Sequence, residues 1–270
     1  MQNLATRMMI NVLGIPAILL LTHQGGIAFT LFFTVIAFVS QVELYLLMRR
    51  KSYHPLLLAA SLAGIVWMFT AYFFPDKLFV LLILLAAIVF LSGLFREVQG
   101  ATVDIAESIF GFIYLPLMLS TLILLRFGRT EGESVLTMLF AAIWICDSLA
   151  YVFGKWLGQK KIAPTISPGK TVVGCIAGVV GALLTVSIFY VLKWSPDSMS
   201  FLQVLLFGLL CGTFGQAGDF VESVFKRDTG VKDSSTLLLG HGGMLDRFDS
   251  FFIGAPVIFL YMSYLTWIAS

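Results

Sequence analysis

Residues 77–95, KLFVLLILLAAIVFLSGLF, hold one charge, at the first position, and the next is Arg96. As a helix rising 1.5 Å per residue, the 19 residues cover about 28 Å, close to the hydrocarbon thickness of a bilayer. Backbone N–H and C=O groups in lipid must be paired, so such a run has to be helical, and an open or closed sheet is excluded for so Leu-rich a segment. Eight further runs share this character, at 8–22, 25–48, 55–74, 105–125, 133–153, 171–192, 200–222 and 249–268. The expected fold is an all-α polytopic membrane protein of about nine transmembrane helices with no soluble domain.

The bulk composition agrees. Of 270 residues, 59% are apolar and 12% charged, and the mean hydropathy is +0.96, a balance foreign to soluble domains. The first run lacks a small-residue cleavage site and is expected to stay as a helix. Cys146, Cys175 and Cys211 all fall inside runs without C-x-x-C spacing, which argues for packing rather than disulfides or zinc. A net charge of +2, with no basic tail, speaks against a nucleic-acid partner.

The charges are lopsided. Counted by alternate loops, 13 of the 17 basic residues fall on the N-terminal side, leaving Lys77, Arg126, Arg129 and Lys193 opposite. Cytoplasmic loops collect Lys and Arg, so the N-terminus is expected in the cytoplasm, the C-terminus outside, and the polar loops 154–170 and 223–248 on the cytosolic face. The remaining loops are short, which predicts one transmembrane domain over 1–270, with N-terminal helices to about residue 100 and working helices and loops over about 105–270.

Within 219–249 stand Asp219, Glu222, Lys226, Arg227, Asp228, Lys232, Asp233, Asp246, Arg247 and Asp249. Asp219 closes an otherwise apolar helix. Asp246 and Asp249 stand three apart at the start of the last one and share a face. Three hard carboxylates at a membrane edge suit Mg²⁺, which is typically held by one or two carboxylates together with substrate phosphates. Lys226, Arg227 and Lys232 can meet anionic oxygens, and Gly240-His241-Gly242-Gly243 offers backbone amides to phosphate. Plainer roles stand beside these: Asp246 or Asp249 as a helix cap, His241 as a structural histidine, the basic residues as topology signals. A charged residue within a span is costly and usually functional, which favours a site at Asp219.

A second polar segment, Asp147 to Gly174, lies on the same expected face. Gly169-Lys170-Thr171 resembles the end of a phosphate-binding loop, but Pro164 stands where that motif needs glycine, so a Walker site is rejected. Ser167, Lys170 and Thr171 instead open a helix, where amides favour a phosphate or simply start the helix. Two further acids are buried in spans; Asp147 ranks above Glu43, which has no motif around it.

The runs Ser223-Val-Phe-Lys-Arg-Asp-Thr-Gly-Val-Lys-Asp-Ser-Ser235 and Gly240-His-Gly-Gly-Met-Leu-Asp-Arg-Phe-Asp249 closely resemble the signature of phosphatidate cytidylyltransferases of the bacterial type. The likeness extends over Asp147 to Gly174, with departures at Gly169, Val173 and Leu239, where that family commonly has Lys, Glu and Pro. It implies transfer of CMP from CTP to phosphatidic acid within the cytoplasmic membrane, with Mg²⁺ and a second cation such as K⁺ at acidic residues. On it, Lys226, Arg227, Lys232, Asp233, His241 and Arg247 are candidate catalytic residues. Asp147, Ser167, Lys170, Thr171, Gly242 and Gly243 are candidates for holding CTP or the lipid phosphate, and Asp219, Asp246 and Asp249 for the metal. A lipid kinase using CTP and a secondary transporter are the rival readings, and the sequence leaves a homo-oligomer open.

Overall fold

The computed structural model describes residues 14–235 and 242–269. Its helices are α1 (residues 14–24), α2 (Gly26–Arg49), α3 (Leu57–Phe73), α4 (Leu78–Ser92), α5 (Ala101–Phe112), α6 (Met118–Phe127), α7 (Gly132–Leu157), α8 (Val172–Val191), α9 (Phe201–Asp228) and α10 (Leu245–Ala269). A π-turn at Ile113–Leu117 joins α5 to α6. It contains Pro116, whose missing N–H removes a ladder bond that the wider turn absorbs. Short 3₁₀ turns extend α4 to Pro75–Phe95.

Among the described residues, seven helical segments are long and apolar enough to cross a bilayer. The chain is an all-α, multi-pass integral membrane protein. α1 and the 17-residue α3 occupy the other two places in the nine-helix expectation. α4 buries only Leu85 and Val89, as a helix facing acyl chains would.

Two compact units divide the chain. The first comprises Met1–Leu124 and Asp228–Phe248. Phe29, Phe33, Ile36, Leu44 and Met68 are buried in it. Apolar contact drives helix association weakly in lipid, so interhelical hydrogen bonds carry weight. Gln41 Nε2 donates to the Ala60 carbonyl at 3.1 Å, and the Tyr45 hydroxyl donates to the Ser108 carbonyl at 2.7 Å.

The second unit comprises Leu125–Arg227 and Asp249–Ser270. Gly174, Gly178 and Gly181 on α8 face α7, and Phe140, Val186, Phe207 and Phe252 fill the interior. All three cysteines are free, and Cys146 and Cys211 are buried. The loop after α7 contains a small antiparallel hairpin, β1 (Lys161–Ala163) and β2 (Ser167–Thr171), pairing Lys161 with Thr171 and Ala163 with Ser167.

Candidate active site

Asp219 and Glu222 belong to the last turns of α9, and Asp249 to the second turn of α10. What lets these helices meet is Gly218: a Cβ there would stand 2.5 Å from the Asp249 carbonyl oxygen and 3.1 Å from Ser250 Cα. With hydrogen in that place, one carboxylate oxygen from each of Asp219, Glu222 and Asp249 lies within 4.8 Å of the others. The Glu222 side chain is fully buried.

Three carboxylates so close repel one another, and compensating cations are built in beside them. Lys226, one turn beyond Glu222 on α9, forms an ion pair with it. Lys170, from β2, stands 2.7 Å from Asp219 Oδ2 and 3.8 Å from the centroid of the Phe220 ring. Asp147 of α7 adds a fourth acid whose charge bears on Asp219 and Asp249, and its Oδ2 accepts from the Ser250 hydroxyl at 3.5 Å. Arg227 Nε donates to the Ile166 carbonyl at 3.1 Å and fastens the end of α9 to the hairpin turn.

Other expected residues take different places. Thr171 is buried, and its hydroxyl oxygen accepts from Gly174 N at 3.1 Å, capping α8. Ser167 begins β2. In the first unit, Lys232, Asp233 and Arg247 are exposed. Gly242 takes a left-handed φ of +80°. Asp246 Oδ2 accepts from Ser234 N at 3.0 Å, Ser234 Oγ at 2.7 Å and Gly243 N at 2.6 Å. That oxygen is surrounded by hydrogens and ties Ser234 to Gly243 ahead of α10. His241 lies outside the described residues.

One member of the site, Glu222, is absent from the sequence-based assignment. Glu222 follows Asp219 by three residues and precedes Lys226 by four, spacings that share one helix face; ending the helix at 222 on hydropathy hides the relation. Lys170 reaches Asp219 from a hairpin where only a loop was expected.

The sequence profile described as the Cytidylyltransferase family matches residues 5–265. A phosphatidate cytidylyltransferase of Bacillus subtilis (strain 168) is 33% identical over 280 aligned residues, covering 97% of this chain and 99% of the relative. Proteins of the same name from Staphylococcus haemolyticus (strain JCSC1435) and Staphylococcus aureus (strain COL) are 42% and 43% identical over 132 and 131 residues, about half of each chain. With a match running through both units and the whole carboxylate group, the chain belongs to the cytidylyltransferase family and is a nucleotidyltransferase.

Proposed function

We propose that the chain transfers CMP from CTP to phosphatidic acid, yielding CDP-diacylglycerol and pyrophosphate. The observation that carries this reading is the gathering of Asp219, Glu222 and Asp249 within 4.8 Å, with lysines paired to two of them. The names of the relatives supply the substrates.

The donor set is all carboxylate oxygen, which fits a hard divalent cation, and we assign Mg²⁺ to Asp219, Glu222 and Asp249. When bound, the ion supplies charge neutralisation and polarisation of phosphate oxygens. Asp147 is the remaining acid for a second cation such as K⁺.

The lipid phosphate already bears a nucleophilic oxygen near neutral pH, its second pKa being about 6, so no general base is required of the protein. A new bond forms between that oxygen and the α-phosphorus of CTP. The bond from the α-phosphorus to the oxygen bridging the β-phosphate breaks, and pyrophosphate leaves with its electron pair. The chain's task is to hold two anions together and stabilise the charge that develops. Lys170, Lys226 and Arg227 are the assigned cations. Ser167, Lys232, Asp233, His241, Gly242 and Arg247 are further substrate-binding candidates, while the Gly243 amide is already given to Asp246, and the excess of basic loops supports a cytoplasmic site.

Purified protein supplied with α-labelled CTP, phosphatidate and Mg²⁺ tests the reading, with Asp219→Asn as the control. Labelled CDP-lipid and unlabelled pyrophosphate are expected from the wild type, with at least about 10²-fold less of both from the variant. Release of CDP with transfer of the γ-phosphate would instead identify a lipid kinase, and full activity in the variant would remove the carboxylate group from the chemistry.

A further inference from the structure

Glu43 has no motif around it, yet it is among the most heavily engaged side chains of the first unit. It sits on α2, two turns before the helix ends at Arg49, and is 4% exposed. A carboxylate in such a place is costly unless hydrogen bonds replace its water. Ser235 Oγ donates to Oε1 at 2.6 Å and Met244 N to the same oxygen at 3.1 Å. Leu245 N donates to Oε2 at 2.8 Å, and Ser234 Oγ lies 3.3 Å from that oxygen. Its partners come from both flanks of one segment: Ser234 and Ser235 before residues 236–241, Met244 and Leu245 after them.

Asp246 completes the same arrangement. Its Oδ2 takes the Ser234 hydroxyl at 2.7 Å and the Gly243 amide at 2.6 Å. Ser234 thus stands between the two acids, with the shorter contact to Asp246. Gly243 passes through the remaining space, and a Cβ there would fall on Ser234 Oγ and both Glu43 carboxylate oxygens. Because Ser235, Met244 and Leu245 each turn an N–H or O–H towards Glu43, this carboxylate is built to accept hydrogen bonds, an environment unlike that of a cation ligand.

The geometry points to Glu43 as a positioning residue for nucleotide transfer, a buried clasp that holds Ser234 and Ser235 together with Met244 and Leu245. The inference rests on the proposed reaction, in which Lys232 and Gly242, beside those two flanks, serve substrate phosphates. Glu43 touches no reacting atom. It acts by fixing where the segment's ends leave Asp233 and enter α10. Glu43→Gln keeps the size of the side chain but replaces one acceptor oxygen with an NH₂ group, which faces N–H or O–H donors in either orientation.

The test uses the full-length protein in lipid nanodiscs, comparing wild type, Glu43→Gln and Ser235→Ala. A variant that merely lowers the folded fraction reduces apparent kcat and leaves the KM for CTP unchanged, whereas a displaced segment moves KM as well. Glu43→Gln is expected to raise the KM for CTP by about fivefold or more and to lower kcat/KM by about 10²-fold. Ser235→Ala, which removes one donor and leaves the clasp, is expected to shift KM in the same direction by about twofold to threefold. Hydrogen exchange in a peptide spanning 242–248 is expected to quicken in Glu43→Gln. Wild-type KM in both variants with unchanged exchange overturns the inference. Should Glu43→Gln fail to fold, Ser235→Ala decides alone: a wild-type KM overturns the inference and a raised KM upholds it. Should the wild type make no CDP-lipid, the proposed reaction fails, and the exchange comparison still decides whether Glu43 holds the segment.

Discussion

Lys170 places its ammonium 2.7 Å from Asp219 Oδ2 and 3.8 Å from the centre of the Phe220 ring, so one cation is held by a charge and a π face of consecutive residues. The carboxylate offsets its charge and the ring limits its wandering. A lysine so placed is set at the edge of an anionic site before substrate arrives, and it needs little reorganisation to meet a phosphate.

Lys170→Met should therefore lower kcat/KM for CMP transfer by about 10²-fold. Lys170→Arg should recover part of that loss, since the charge remains but the longer planar group does not fit the same point contact. Initial rates of CDP-lipid formation over a range of CTP concentrations provide the check. Equal loss in both variants would mean that the geometry of the ammonium, rather than its charge, carries the effect.

Gly218→Ala tests the contact that brings α9 to α10. The new methyl would lie 2.5 Å from the Asp249 carbonyl oxygen, a backbone atom in the middle of a helix that cannot rotate away. Overpacking of this kind typically costs about 1–3 kcal/mol. Thermal unfolding in detergent should show a lower midpoint, and activity measured well below that midpoint should also fall because Asp249 is displaced from Asp219 and Glu222. Retained activity with a lowered midpoint would separate helix packing from the site.

Hydropathy makes the membrane helices legible: the run at 25–48 is Gly26–Arg49, that at 171–192 is Val172–Val191, and that at 77–95 is Pro75–Phe95. It misjudges helix ends that leave lipid. The last turns of α9 run on to Asp228, because Glu222 and Lys226 sustain a helix by pairing across one turn, although their polarity ends the apolar signal. The same error starts α10 at 249 instead of Leu245. Carboxylate character and general location are readable from Asp219 and Asp249, but which third acid joins them depends on helical phase past the apolar run. The engagement of Glu43 with Ser235, 192 residues away, has no local signal at all.

Outside the spans, Lys51 Nζ lies 2.6 Å from Asp228 Oδ1, and that hydrogen bond raises the lysine above its ordinary value of 10.5. A raised folded-state value means stability that is fully present below the unfolded lysine's pKa and lost as pH rises through the folded one. The difference in melting midpoint between wild type and Lys51→Gln should thus be flat from about pH 7 to about pH 9 and close only in more alkaline solution. It should also shrink with added salt, since the pair is open to solvent. A difference that closes below about pH 9 would assign the effect to another group.

Glu222 and Asp246 compete for one role, and their surroundings differ. The Glu222 side chain is fully buried beside Lys226, and it shares a 4.8 Å group with Asp219 and Asp249. Asp246 turns Oδ2 towards two backbone N–H groups and a hydroxyl, so that oxygen is occupied as an acceptor. If the carboxylate group holds Mg²⁺ as proposed, Glu222→Gln removes a charged ligand and should raise the Mg²⁺ concentration for half-maximal activity by about tenfold or more. Asp246→Asn can turn its remaining oxygen towards Ser234 and Gly243, so its Mg²⁺ requirement should stay within about threefold of wild type even if turnover falls. Titrating Mg²⁺ at saturating CTP and phosphatidate reads both variants in one experiment. A large shift in Asp246→Asn with none in Glu222→Gln would overturn the choice of Glu222 and favour the set expected from sequence, Asp219, Asp246 and Asp249.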